Sequence, residues 1–374
     1  MINEATGNPH ANRHSAIAAS PLVIISILNW NGWEETLECL DSVRRLDYAN
    51  YLTVVVDNGS RNDSVDRICA WAKGALPDQA AFVEYRREMA LAGGDPNSEV
   101  RLDAAKPPNR FVLIRNQDNL GFTGGNNVAI SYALSRGIPA DYVLLLNNDA
   151  TVRIDCLQEL VNAAVRSSAG VVTAEIFDPI SGTFAPQFPL ERRRKVAFGS
   201  PESIGAQETL APEVYEVNWA GGCSMLLSRQ LLKALHSHAG YYLDDRLFIY
   251  CEDVALSQGA HKLGYKVVVA RKAVADHKGG RRAGAMYNVI RSYYGTRNTL
   301  LLTRDLPHGR GYLSFLTYTF LSLARIGKNM AAWRFRSAQA IYCGLVDGYC
   351  GVTGRWKSHD RVLLPKEVPS SPVN

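Results

Sequence analysis

The tripeptide Asn147-Asn148-Asp149 follows an uninterrupted apolar run, Tyr142-Val143-Leu144-Leu145-Leu146. That run has the length and composition of a strand buried on both faces of a parallel sheet. In open α/β sheets ligands bind beyond the carboxyl ends of the strands, so Asp149 is expected at the binding crevice. A carboxylate there suits a divalent cation, which takes hard oxygen ligands and bridges to substrate phosphate. The same three residues also make a turn by bonding their own backbone, and on their own they do not decide between the two readings. A second acidic pair, Glu252-Asp253, opens a helix just after Phe248 and Tyr250. Acidic residues in a first helical turn favour the macrodipole, which is the structural alternative. Aromatic surroundings would also raise a carboxylate's pKa and suit general-base work. His277, in Asp276-His277-Lys278-Gly279-Gly280, adds an imidazole able to ligate a metal when neutral.

These groups need a scaffold, and its pattern is legible. Leu22–Leu28, Leu52–Val56 and Phe111–Ile114 are apolar strands, each ending on polar residues: Asn29-Trp30-Asn31-Gly32, Asp57-Asn58-Gly59-Ser60 and Asn119-Leu120-Gly121. The first two are followed by segments with apolar residues at helical spacing, and the third by a Gly-rich helix start running to Arg136. Glycines before a helix let backbone approach a ligand, and free helix N–H groups favour an anion. The spacing is not GxGxxG, so the dinucleotide fingerprint is absent. Repeated strand, polar stop and helix units predict an α/β fold with a mostly parallel, Rossmann-like sheet flanked by helices. Residues 86–109 carry Gly93-Gly94-Asp95-Pro96 and Lys106-Pro107-Pro108 without sustained period and are expected to be an inserted loop. Residues 178–212 are expected to be loop with a short hairpin.

A chain of 374 residues buries a full core, and its 47% hydrophobic and 21% charged residues are those of a globular protein. The net charge of +5 gathers in clusters such as Arg192-Arg193-Arg194-Lys195, suited to nucleotide phosphates or anionic lipid. No basic stripe interleaved with aromatics argues for nucleic acid. Seven scattered cysteines without a CxxC pair fit a reducing compartment. Residues 1–20 are expected to be a disordered leader with no signal peptide, and 365–374 a tail. Residues 286–364 are basic and aromatic, a helical C-terminal appendage packed on the core or lying on a membrane surface.

Taken in order, Ser26-Ile27-Leu28-Asn29-Trp30-Asn31, Val56-Asp57-Asn58-Gly59-Ser60, Asn119-Leu120-Gly121-Phe122, Asn147-Asn148-Asp149, Glu252-Asp253 and His277 resemble the family 2 glycosyltransferases of GT-A fold. The branch they look closest to is the bacterial rhamnosyltransferase-like one, whose central motif is often Asn-Asn-Asp. The resemblance implies a GT-A domain over residues 21–285. It implies that Asn29 and Asp57 meet the nucleotide base, with Asn31 and Asn58 on the same strand ends, and that Asn119 and Gly121 lie beside base and ribose. Asn148 would stand near the ribose and Arg297 would meet the diphosphate. Asp149 and His277 match the ligands of Mg²⁺ or Mn²⁺, while Asn147 puts a neutral amide where many relatives have the first Asp. Asp253 matches the catalytic base, with Glu252 its neighbour.

The chemistry agrees, because glycosyl transfer needs a cation at the leaving diphosphate and one base for the acceptor hydroxyl. The expected activity is inverting, metal-dependent hexosyl transfer from dTDP-rhamnose, or second from a UDP-hexose. The expected acceptor is a lipid-linked or polysaccharide glycan of cell-wall type. Its place would be cytoplasmic, at the inner face of the cell membrane, with peripheral membrane contact and a homo-oligomer left open. A sugar-1-phosphate nucleotidyltransferase would want a Gly-rich basic loop after the first strand, where Asn29-Trp30-Asn31-Gly32 stands. A non-catalytic glycan-binding scaffold that kept the fold would bind without turnover.

Overall fold

The computed structural model describes residues 20–76, 81–185, 212–279, 284–305 and 310–358. The first half runs β1 (Val23–Asn29), α1 (Trp33–Val43), β2 (Tyr51–Asn58), α2 (Ser64–Ala75), β3 (Phe82–Arg86), α3 (Arg87–Leu91), α4 (Pro96–Ala104), β4 (Phe111–Asn116) and α5 (Gly121–Ser135). It continues with β5 (Tyr142–Asn147), β6 (Ala150–Val152), α6 (Cys156–Ser167), β7 (Val171–Asp178), β8 (Thr183–Phe184), β9 (Val214–Glu216) and β10 (Ser224–Ser228). Then come α7 (Arg229–Ala239), α8 (Glu252–Lys262), β11 (Val267–His277), α9 (Gly284–Arg304), α10 (Arg310–Ala331) and α11 (Phe335–Cys350). The expected leader and tail lie outside the described residues, apart from Ser20, as does most of 178–212.

One sheet has the order β3-β4-β2-β1-β5-β10-β7-β11-β6, with β8 on β7 and β9 on β11. The five strands from β3 to β5 are parallel, and β10 enters antiparallel between β5 and β7. The expected fold class is therefore present, a mostly parallel sheet flanked by helices. Alternation along β5 explains the layers. Leu144 and Leu146 face the side covered by α1, α2 and α6, and Val143 and Leu145 the side covered by α5, α7 and α8. Burying each of these leucines contributes roughly 1.5–3 kcal/mol, which sets the strand's register. Register then aligns the polar ends, with Asn29 beside Asp57 and Leu28 beside Asn147.

The loop expected over 86–109 is corrected by the structure. It holds α3 and α4 after the strand β3, and α4 starts where Asp95 accepts from the Ser98 N–H at 2.9 Å with Pro96 in the first turn. The segment is fastened by a buried cation rather than by apolar period. Arg136 Nε donates to Glu99 at 2.8 Å and its Nη2 to Asp103 at 2.6 Å, while the Tyr85 and Tyr132 hydroxyls donate to Glu99.

At the C-terminal end α9 packs along α11 with α10 against both. Tyr294 stacks on Phe248 at 5.5 Å between centroids and Trp356 on Tyr293 at 4.2 Å, so the appendage is seated on the segment that leads into α8.

Candidate functional site

The strand ends converge as expected, but through one another. Asn29 is fully buried and spends its amide inside the protein. Its Nδ2 donates to Asp57 Oδ1 at 2.8 Å and to Ser60, and its Oδ1 accepts from the Gly32 N–H and the Thr36 hydroxyl. Thr36 in turn accepts from Asn148 Nδ2 at 3.1 Å. Asn58 is also consumed. It donates to Asn119 Oδ1 and the Gly121 carbonyl, and accepts from Asn116 and the Leu120 N–H. Asn31 adopts φ 55° and accepts from the Arg61 N–H. These asparagines fix the turns around the crevice. Asp57, bonded to Asn29 and Ser60, keeps acceptor capacity on Oδ2, which receives one N–H from Ser60.

Asp149 and His277 meet because β11 pairs antiparallel with β6, setting His277 opposite Ala150. His277 Nε2 lies 3.1 Å from Asp149 Oδ1, and both side chains are about a quarter exposed. Burial pulls the imidazole's pKa down, but hydrogen bonds to Asp149 and the Cys223 thiol outweigh it and push it up to about 10. Among the described residues no three His, Cys, Asp or Glu side chains form a metal cluster. A carboxylate and an imidazole nevertheless fit as the protein's share of an Mg²⁺ or Mn²⁺ shell completed by phosphate and water oxygens.

Glu252 and Asp253 occupy the first turn of α8. Burial holds both carboxyls above the ordinary carboxylate range, and for Glu252 the charge of Asp253 adds to it. Glu252 Oε2 is buried without a hydrogen-bond partner among the described residues. The approach to this turn is strained. Phe248 has φ 65° and ψ −59°, with the Ile249 N–H donating to the Leu247 carbonyl at 2.8 Å, a γ-turn of the rare hand. Tyr250 and Cys251 follow at φ 67° and 68°. Each such residue costs about 1–3 kcal/mol. Gly121 belongs to this wall, since a Cβ there would come within 2.3 Å of the Phe248 carbonyl oxygen.

Gly222 and Cys223 join the two groups. A Cβ on Gly222 would stand 3.7 Å from Glu252 Oε1 and 3.9 Å from Asp253 Oδ2, while Cys223 bonds His277. Gly222 and Cys223 are consecutive, so one short segment touches both the acidic pair and His277. Arg297 is spent elsewhere. Its side chain is fully buried on backbone carbonyls, which corrects the expected phosphate contact. A small pocket at the ends of β2 and β4 is lined by Trp30, Gly59, Arg61, Gln117, Asp118, Asn119 and Arg355. Trp30 and Gly59 stand in the polar strand ends and Asn119 is an expected nucleotide contact, whereas the sequence does not single out Arg61, Gln117, Asp118 or Arg355, and nothing local brings Arg355 there.

Residues 95–234 match the sequence model of glycosyl transferase family 2. The low-salt glycan biosynthesis hexosyltransferase Agl10 of Haloferax volcanii is 24% identical over 246 residues, 63% of this chain and 75% of that one. The chain is a glycosyltransferase. Its fold is shared with two solved structures. One is the mannosyltransferase PcManGT of Pyrobaculum calidifontis in complex with GDP-Man and Mn²⁺, at 15% identity and TM-score 0.50, covering 92% of this chain and 79% of that one. The other is S. aureus TarS 1-349 in complex with UDP-GlcNAc, at 14% identity and TM-score 0.50, covering 91% and 84%. The glycosyltransferase thus has the GT-A architecture that its ordered motifs implied.

Proposed function

We propose that this enzyme transfers a hexosyl group from a nucleotide donor to a glycan hydroxyl in one inverting, metal-dependent displacement. L-rhamnose from dTDP-rhamnose is the first donor we infer and a UDP-hexose the second. The observation that carries this reading is the junction at Gly222-Cys223, whose consecutive residues touch a raised-pKa carboxylate pair on one side and the imidazole of a carboxylate–imidazole pair on the other. Asp149 and His277 would hold the cation, which when bound would compensate the charge on the leaving diphosphate. Asp253 accepts the proton of the acceptor hydroxyl as that oxygen bonds to the anomeric carbon. The bond from that carbon to the diphosphate oxygen breaks, and its electron pair leaves with the diphosphate. With Asp253 as the base and no carboxylate assigned as nucleophile, there is one displacement and the anomeric configuration inverts. Asp57, Asn119 and Gly121 form the floor for the nucleotide, which Asn29, Asn31, Asn58 and Asn148 hold in shape. Trp30, Arg61 and Arg355 line its mouth.

The GDP-Man and Mn²⁺ named for PcManGT and the UDP-GlcNAc named for TarS support the donor class, and the hexosyltransferase named for Agl10 supports the transferred group. The acceptor we infer is a lipid-linked or polysaccharide glycan, met at the inner face of the cell membrane. Helix α10 supports this, because it turns Leu313, Leu316, Phe320 and Leu323 outward. No described helix is long and apolar enough to cross a membrane, so the contact is one of lying on the surface.

Calorimetry with dTDP-, UDP- and GDP-sugars, in Mn²⁺ and in chelator, tests the site. Metal-dependent binding that disappears in Asp149→Ala is expected. Asp253→Asn should bind the donor and lose about 10²–10⁴-fold in turnover. Failure of every nucleotide sugar to bind with metal present would overturn the reading.

A further inference from the structure

The strained segment that presents Glu252 and Asp253 is held at its backbone by side chains of α9. Three carbonyls converge on one amide nitrogen, as the two N–H groups of Asn298 Nδ2 are shared among the carbonyls of Leu247 at 2.9 Å, Ile249 at 2.8 Å and Tyr250 at 2.7 Å. Arg297 Nη2 donates to the Leu247 carbonyl at 2.9 Å and the Arg246 carbonyl at 3.3 Å. Its Nε donates to Asn298 Oδ1 at 2.9 Å, which fixes the amide's orientation, since oxygen must face the donor and nitrogen the carbonyls. Both side chains are fully buried. The remaining arm, Nη1, donates to the Gly354 carbonyl at 2.5 Å, and the Gly354 N–H donates to Arg246 at 2.7 Å. One pair on α9 thus grips the approach to the acidic turn and the segment that carries Arg355 to the pocket at the ends of β2 and β4.

The geometry points to Arg297 and Asn298 as positioning residues for the transfer step, a role that rests on the reading of Asp253 as base. The alternative is that they only hold the appendage on the core. Three features favour positioning. The hydrogen bonds go to backbone carbonyls of the segment, and the guanidinium's ring contacts are with Tyr293 and Tyr294 of its own helix. The bonds fall on Leu247, Ile249 and Tyr250, in and beside the γ-turn, and end next to Cys251, whose left-handed backbone starts α8. Non-glycine residues adopt such backbone only where the surroundings impose it, and here these two side chains bond the carbonyls of Leu247, Ile249 and Tyr250 while Thr123 bonds that of Phe248. Released, the turn would relax towards ordinary φ and swing the first turn of α8 away from Gly222. Reacting groups displaced by about 1 Å lose about 100-fold in rate while ground-state binding elsewhere is kept.

The test compares wild type with Asn298→Asp, which keeps the shape but turns an oxygen towards the carbonyls. A fall in kcat of about 100-fold at unchanged donor KM is expected. Adding Cys251→Gly, which adopts φ 68° without restraint, should recover most of that loss. Arg297→Lys, keeping the buried charge but not the fork, should show the same split more weakly. Unchanged kcat, or kcat and donor affinity falling together without rescue by Cys251→Gly, would overturn the proposal. So would failure of both variants to fold with or without that glycine, because the pair would then serve the fold alone. If the wild type binds no nucleotide sugar, it is the underlying reading that has failed.

Discussion

Asp253 and Glu252 are consecutive residues with different surroundings, and their titration separates their roles. Glu252 is the more deeply buried, has one oxygen without a partner among the described residues, and feels the charge of Asp253. Asp253 is half-buried and raised by burial, against hydrogen bonds from the Val254 and Gly222 N–H groups that favour its charge. A carboxyl whose pKa rises on folding binds more protons in the native state than in the unfolded one. Stability therefore falls as pH climbs from the ordinary carboxylate range towards the raised value. Glu252→Gln removes its share of that loss, so its melting temperature should exceed wild type at pH 8 and match it at pH 4. The gain is about 2–4 °C for each kcal/mol relieved. The acid limb of kcat/KM should lie above the ordinary carboxylate range and persist in Glu252→Gln, because burial rather than Glu252 raises Asp253. A limb that vanishes in Glu252→Gln would transfer the base to that residue.

Among the elements, α4 shows what a pattern of residues can hide. Its Asp95-Pro96 start is an ordinary helix signal, yet glycines before it and prolines after it read together as loop. What fastens it is Glu99, which takes Arg136 and two tyrosine hydroxyls in a site where the arginine side chain is 1% exposed. Arg136→Met leaves that carboxylate unpaired and should cost about 3–5 kcal/mol in urea unfolding, with kcat per folded molecule unchanged. The strand ends bearing Asp57 and Asp149 were legible because an apolar run that stops on polar residues has one physical meaning in a parallel sheet. The antiparallel entry of β10 and the inward turn of Arg297 were not. The first depends on pairing between distant segments. The second depends on carbonyls freed by a turn 50 residues away from their donor. His277 was joined to Asp149 only through the resemblance of the ordered motifs, since the β6–β11 pairing that brings them together spans 128 residues and leaves no local signal.

At the scale of the molecule, the C-terminal helices present one unusual surface. Helix α10 turns Phe315, Tyr318, Ser322 and Ile326 towards the protein, and its outward face is the more apolar one, with Leu313 68% and Phe320 73% exposed. Arg325, Lys328, Arg334 and Arg336 flank or follow that face, and no Asp or Glu occurs between Arg310 and Val346. A second copy laid on this face would bring like charges together, whereas an anionic bilayer accepts both the apolar stripe and the cations. Sedimentation with phosphatidylserine vesicles at low salt should therefore carry the enzyme down, and high salt should release it. Leu313→Glu with Phe320→Glu should weaken that binding at least about tenfold, each cation near the surface being worth about 1 kcal/mol. Binding equal on neutral vesicles, or a dimer that these changes dissolve, would assign the face to another occupant. The net charge of +5 alone would not have located this surface.

The most direct test of the account is single-turnover transfer by Asp253→Asn beside wild type, with Mn²⁺ and a nucleotide sugar shown to bind both. The account predicts equal donor affinity and a transfer rate lower by about 10²–10⁴-fold, with wild type giving a product of inverted anomeric configuration. Transfer by Asp253→Asn at the wild-type rate, or a product that retains configuration, would contradict it.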